Sequence, residues 1–134
     1  MPAPVIRFRI DFGPSSSVGP GKIGLLEEIG KVHSLSQAAR NQGMSYRRAW
    51  LLISSLNQSF EEPVITASTG GRGGGGAELT LFGRSLIAAY RAFEKDALSA
   101  GAKRFHAIAA RAIGVTDARQ GSVRQRLSRR KSRK

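Results

Sequence analysis

A mainly α fold carrying one small β-hairpin is what this sequence predicts, and three observations carry that prediction. Residues 35–56 read LSQAARNQGMSYRRAWLLISSL, two short helical patterns hinged at Gly43. Ala39 and Gly43 stand four apart, and Ala49 and Leu52 follow ten and thirteen residues after Ala39. This spacing suits a tight helix crossing: Ala39 keeps the first helix narrow, Gly43 takes the left-handed conformation that ends it, and Ala49 and Leu52 point back into a shared core. Downstream, the β-branched run PVITAS and the stretch AELTL flank TGGRGGGG, a glycine-rich turn between two strands. A long apolar-striped helix follows. Together these describe a winged helix-turn-helix with a long C-terminal helix, a fold whose ordinary ligand is duplex DNA.

Residues 5–11 combine β-branched and aromatic residues with imperfect alternation and predict a short strand, whereas 13–21, GPSSSVGPG, is loop chemistry throughout. Pro20 or Gly21 delivers the chain into a first helix of about a dozen residues with Ile23, Leu26 and Ile29 inward, Glu27, Glu28 and Lys31 outward, and its end at His33 and Ser34. The second helix opens at Ser34 or Leu35 and stops at Gly43. Ser45 caps the third, which puts Tyr46, Arg47 and Arg48 at the helix end where a recognition helix meets base edges. Tyr46 shares a face with Ala49, Trp50 and Ile53, so it also reads as a core residue, and Trp50 reads as core rather than contact. Thr80 caps the fourth helix, in which Phe82, Leu86, Ala89, Tyr90, Phe93 and Ala97 keep one face apolar. Beyond Gly101, Phe105, Ile108, Ala109 and Ala112 again share a side, so helix continues or resumes. The expected organisation is a DNA-binding domain over 1–98, a helical extension over 99–118 and a basic, disordered tail over 119–134.

Charge points to an anionic partner. The chain of 134 residues has a formal charge of +13, the balance expected of a protein that meets nucleic acid or an anionic surface. Eight of the 22 basic residues fall in 119–134, where no acidic residue occurs, so most of the excess is a tail. Such an arm reads as a second, sequence-independent DNA contact, an RNA- or ribosome-associated arm, or a solubilising terminus. Arg47 and Arg48 lie roughly 100° apart around a helix, so one reads bases while the other reaches phosphate, and Arg47 is the expected base reader. Arg72, flanked by Gly71 and Gly73 among six glycines, suits insertion into a narrow minor groove, because bare backbone approaches the sugar-phosphate chain closely. A phosphate-cradling nucleotide loop is the competing reading; it fails because Ala77 and Glu78 stand where lysine and a hydroxyl residue are required.

Catalysis and metal chemistry find little footing. With no cysteine, disulfides, thiolate metal sites and cysteine nucleophiles are excluded. His33 and His106 lie far apart without partners at metal-ligand spacing, and the pairs Glu27/Glu28 and Glu61/Glu62 read as solvated surface, since adjacent helical side chains diverge. No enzyme activity, cofactor or metal is expected. The N-terminus has no long apolar run, so neither a secretory signal nor a membrane span is expected. A cytoplasmic, nucleoid-associated protein is the implied setting.

The motifs SLSQAARNQGMSYRRAW and TASTGGRGGGGAELTLFGRSLIAAY resemble the N-terminal DNA-binding domain of ModE-type molybdate-responsive regulators over residues 21–93. The most specific element is the glycine run of 69–76 joined to Ala77, Leu79, Thr80, Gly83 and Leu86; LysR-type winged helices share the helix-turn-helix but usually not that run. The resemblance implies that the helix matching 45–60 enters the major groove, that the hairpin matching 66–81 is the wing, and that flanking helices make a homodimer. It carries Ser45, Tyr46, Arg47, Arg48 and Arg72 to the DNA. Full-length members continue into an oxyanion-binding domain, whereas about forty residues follow the resemblance here, so molybdate binding is not expected within this chain. The reading is a sequence-specific transcriptional regulator acting as a homodimer on an inverted-repeat operator; the alternative is an architectural DNA-binding protein of low sequence preference.

Overall fold

The computed structural model describes residues 4–68 and 76–113. Its order is β1 (Ile10–Gly13), β2 (Ser16–Val18), α1 (Pro20–Val32), α2 (Leu35–Asn41), α3 (Tyr46–Ser59), β3 (Ile65–Ser68), β4 (Gly76–Leu79) and α4 (Leu81–Ala110). The described residues divide into two units, one spanning Val5–Leu98 and the other holding Pro4 with the last turns of α4. The first unit contains the winged helix.

Each helix boundary has a local cause. Pro20 occupies the first turn of α1, where its missing N–H would have had no partner and its fixed φ suits the helix. His33 ends α1 in the left-handed conformation with φ 55°, and its N–H bonds the Ile29 carbonyl at 2.8 Å. Ser34 then caps α2, accepting from the Gln37 N–H at 3.2 Å, and Ser45 caps α3, accepting from the Arg48 N–H at 3.1 Å. Between them Gly43 has φ +67°, the left-handed turn residue that lets two helices follow each other so closely. Thr80 caps α4 by accepting from the Gly83 N–H at 2.9 Å while donating to the Pro63 carbonyl at 2.7 Å. The same α4 runs through Gly101 without interruption.

Helices α1, α2 and α3 close around one apolar core. Ile23, Leu25, Leu26 and Ile29 of α1, Ala38 and Ala39 of α2, and Ala49, Ile53 and Leu56 of α3 are buried together with Val64, Ile65, Ala77 and Tyr90. Small residues at 38, 39 and 49 sit where α2 and α3 contact, the close approach that the alanine spacing predicts. β3 and β4 pair antiparallel in unbroken register, Ile65 opposite Leu79 and Ser68 opposite Gly76. Where α4 leaves this hairpin, a Cβ on Gly83 would overlap the Val64 carbonyl oxygen, so only glycine permits the helix to pass that close to the strand.

Two sequence expectations are corrected at the N-terminus. The first strand lies at Ile10–Gly13, not across 5–11, and Ser16–Val18, expected as loop, is its antiparallel partner, with an irregular register between Asp11 and Gly13. Aromatic burial accounts for the shift. Phe8 stacks on Tyr90 with ring centroids 4.5 Å apart, and its carbonyl accepts from the Tyr90 hydroxyl at 2.9 Å, so this stretch is held by α4 rather than by a strand ladder. On the other side of the new hairpin Val18 is fully buried and draws β2 onto the helical core.

Candidate nucleic-acid interface

The α3 helix has two chemically opposed faces. Ala49, Ile53 and Leu56 form the buried one. Arg47 and Leu51 each lie about 160° around the axis from Ala49, one on either side of the outward direction, and Trp50, Ser54 and Gln58 continue that outer surface. Ser45, Tyr46, Arg47, Arg48, Trp50, Leu51 and Gln58 are all exposed. No acidic residue occurs in α3, and no described carboxylate forms an ion pair with Arg47 or Arg48. The Ser45 cap leaves the helix N-terminus, with its partial positive charge, beside both guanidinium groups.

Trp50 departs from its expected place in the core, and Tyr46 from the core reading that competed with its assignment to the DNA. They are 52% and 57% exposed. In projection Tyr46 lies about 60° from Ala49 and Trp50 about 60° from Ile53, but the buried stripe runs through Ala49, Ile53 and Leu56. Trp50 is rotated about 100° from Ala49, and Tyr46 stands in the first turn, before the buried stripe begins.

Asn57 fastens the candidate recognition helix to the hairpin, a role no sequence motif announced. From the last turns of α3 its amide oxygen accepts from the N–H groups of Val64 at 2.8 Å and Ile65 at 3.3 Å, and its amide nitrogen donates to the Ile65 carbonyl at 3.2 Å. One side chain thus substitutes for a neighbouring strand at the entry to β3. The second strand is tied at the opposite edge, where the Ala77 N–H bonds the His33 carbonyl at 3.1 Å and Ser34 bridges to Gly76. The hairpin base is thereby held on one edge by α3 and on the other by the α1–α2 junction. Gly71, Arg72 and Gly73, the expected wing contacts, lie outside the described residues, as does the tail of 119–134.

A lysine also braces α3. Lys22 of α1 donates from Nζ to the Ser17 carbonyl at 2.7 Å and lies 3.5 Å from Ser55 Oγ. Burial, with the nearby Arg9 charge adding to it, holds its ammonium pKa below the ordinary lysine value. The signal available in the sequence was only a lysine two residues after a helix-starting proline.

The glutamates of α1 are not simply solvated, as the sequence suggested. Arg91 Nε donates to Glu27 Oε2 at 3.0 Å and its Nη2 donates to Glu27 Oε1, while Nη1 donates to Glu94 at 2.8 Å. These bonds hold the Glu27 carboxyl below its usual pKa against the opposing effect of burial, and they raise Arg91 above its ordinary value. Glu28 accepts from the Asn41 amide at 2.7 Å. The sequence separation of 64 residues between Glu27 and Arg91 hid the first pair. Both acids serve the scaffold, α1 to α4 and α1 to α2.

Among the described residues there is no group of three His, Cys, Asp or Glu side chains able to hold a metal ion, and no helix long and apolar enough to cross a membrane. No family model matches the chain. Individual proteins do. Over 94 residues, 70% of this chain, it is 37% identical to the molybdenum transport protein ModE of Azotobacter vinelandii. Over 71 residues, 53% of the chain, it is 45% identical to the DNA-binding transcriptional dual regulator ModE of Escherichia coli. The chain carries a ModE-like domain. A third relative, 47% identical over 77 residues, 58% of the chain, is the molybdenum-pterin-binding protein MopB of Rhodobacter capsulatus. The matches cover 35%, 27% and 28% of these proteins in turn, so the chain spans about a third of the length of the curated relatives it matches.

Proposed function

We propose that this protein is a sequence-specific, DNA-binding transcriptional regulator in which α3 enters the major groove and the β3–β4 hairpin carries a wing to the adjacent minor groove. The observation that carries the reading is the outer face of α3: two exposed arginines at a capped helix N-terminus, no acidic residue along the helix, and a hairpin locked to the same helix by Asn57. Arg47 is assigned to base edges, Arg48 to phosphate, and Ser45 and Tyr46 to the surrounding contacts. Gly71, Arg72 and Gly73 are assigned to the wing tip. The names of the relatives, which join transcriptional regulation to molybdenum transport and molybdenum-pterin binding, support a place in molybdenum-linked gene control.

A homodimer on an inverted repeat completes the proposal. Its support is α4, which leaves Phe93, Phe105 and Ile108 about half exposed or more, an apolar load unusual for a helix that meets only water. A two-fold dimer would place its recognition helices on half-sites about one helical turn, or a multiple of it, apart. Sedimentation of the Phe105→Asp, Ile108→Asp double variant should show a monomer where the parent is a dimer.

Selection of bound duplexes from a random pool, with and without molybdate, tests specificity, symmetry and ligand dependence together. The proposal expects an enriched, palindromic sequence. A pool that stays random while binding persists would favour the architectural reading, for which the eight basic residues of 119–134 are the specific support. Deleting those residues separates the two further: a regulator keeps its sequence preference and loses mainly salt-dependent affinity, whereas a coating protein loses most of its binding.

A further inference from the structure

Leu51 stands on the candidate recognition ridge without a structural task. It is 51% exposed and belongs to none of the buried or partly buried residues of the core. Arg47, Leu51, Ser54 and Gln58 follow at intervals of four, three and four residues, a single outer ridge of α3 in which each side chain lies about one turn from the next. Beside this ridge runs an open groove of about 480 Å³ between Ser15 and Ser16 of the β1–β2 ribbon and Trp50, Leu51, Ser54 and Gln58 of α3. Its polar lining is hydroxyl and amide, with no carboxylate.

We propose that Leu51 is a specificity-determining residue that reads the 5-methyl group of thymine in the major groove, with Trp50 walling the contact from water. This rests on the DNA-binding reading given above. The ridge chemistry selects the occupant. An apolar protein partner would leave Arg47 desolvated opposite a neutral surface, at a cost that an isolated leucine cannot offset. The major groove instead offers acceptors for Arg47, hydrogen-bonding edges for Gln58 and a single apolar feature, the thymine methyl, for Leu51. The exposed leucine one turn beyond the arginine places the methyl-bearing base within a step or two of the base that Arg47 contacts.

Thymine-to-uracil replacement isolates this contact, because it removes one methyl group and leaves every hydrogen-bonding edge in place. The probe is the duplex enriched by the full chain from a random pool, with each thymine of one half-site replaced by deoxyuridine in turn. One or two positions should weaken wild-type binding by about fourfold each, the factor that corresponds to one buried methyl-sized group. Leu51→Ala should lose affinity for the thymine duplex and become insensitive at those same positions, while Leu51→Met restores part of the sensitivity. Both variants should melt with the parent, since the side chain is exposed. Wild-type binding that is indifferent to every replacement overturns the proposal and leaves DNA binding standing, as does sensitivity that survives in Leu51→Ala. Failure to enrich or bind any duplex overturns the DNA-binding reading itself, and with it this assignment. A Leu51→Ala variant that binds all duplexes like the parent but loses a protein contact in cross-linking would assign the ridge to a protein partner.

Discussion

The inner and outer faces of α3 differ in nearly every physical respect although they are built on the same fourteen residues. The inner face is small or aliphatic, buried, and matched to α1 and α2 through Ala38, Ala39 and Ala49. The outer face holds two arginines, a tryptophan, a leucine and an amide in water. Core burial accounts for every residue of the first and for none of the second. A helix whose inner residues determine stability and whose outer residues are free of that duty is a helix whose outer surface is available for recognition.

Substitutions should therefore sort by face. Leu56→Ala, on the inner face, is expected to have the largest effect on stability, about 3 kcal/mol, from lost transfer energy and the cavity left in a packed site; urea unfolding followed by circular dichroism measures it. A loss under about 1 kcal/mol would mean that α3 is loosely seated. Asn57→Ala should follow, at about 2 kcal/mol, because it orphans the N–H groups of Val64 and Ile65 at the root of β3. Hydrogen exchange at those two amides should rise selectively in this variant, and unchanged protection would remove Asn57 as the link between helix and hairpin.

A smaller effect belongs to the brace between α1 and α4. Glu27 has its carboxyl pKa lowered in the folded protein, chiefly by hydrogen bonding to Arg91. A depressed carboxyl contributes stability that is fully present above the unfolded value near 4.5 and is lost as pH falls through the lower folded value. Both side chains remain partly exposed, 32% and 40%, so the contribution is about 0.5 to 1 kcal/mol after screening. The difference in melting temperature between the parent and Glu27→Gln should be visible at pH 7 and vanish near pH 3. A difference that persists at pH 3 would locate the effect in packing instead of charge.

The contrast between faces also explains what the sequence could foretell. Gly43, Ser34, Ser45 and Thr80 act through local backbone geometry, so their turn and cap roles were readable from neighbours three or four positions away. The first wing strand announced itself by the β-branched run of 63–68, and the glycine run after it implied a returning partner. Asn57, Lys22 and Glu27 act through partners distant in sequence or through backbone atoms, which carry no side-chain signature. Trp50 misled for a related reason: helical projection places it near the core stripe, but the extent of the neighbouring helices, a tertiary property, decides how wide that stripe is. The β1–β2 hairpin was hidden by serine, glycine and proline residues that ordinarily mark loops and here form a two-stranded ribbon pinned by one buried valine.

If the outer face of α3 reads DNA while contributing little to the fold, Arg47→Ala should separate binding from stability. Its dissociation constant should be measured on the selected duplex and on a scrambled one of equal length, beside a melting curve. The melting temperature should stay within the effect of about 0.5 kcal/mol typical of a surface substitution, while binding to the selected duplex weakens by about 1 to 3 kcal/mol and the ratio between the two duplexes collapses. Equal weakening on both duplexes would make Arg47 a phosphate contact, and unchanged binding to both would contradict the claim that this face meets DNA.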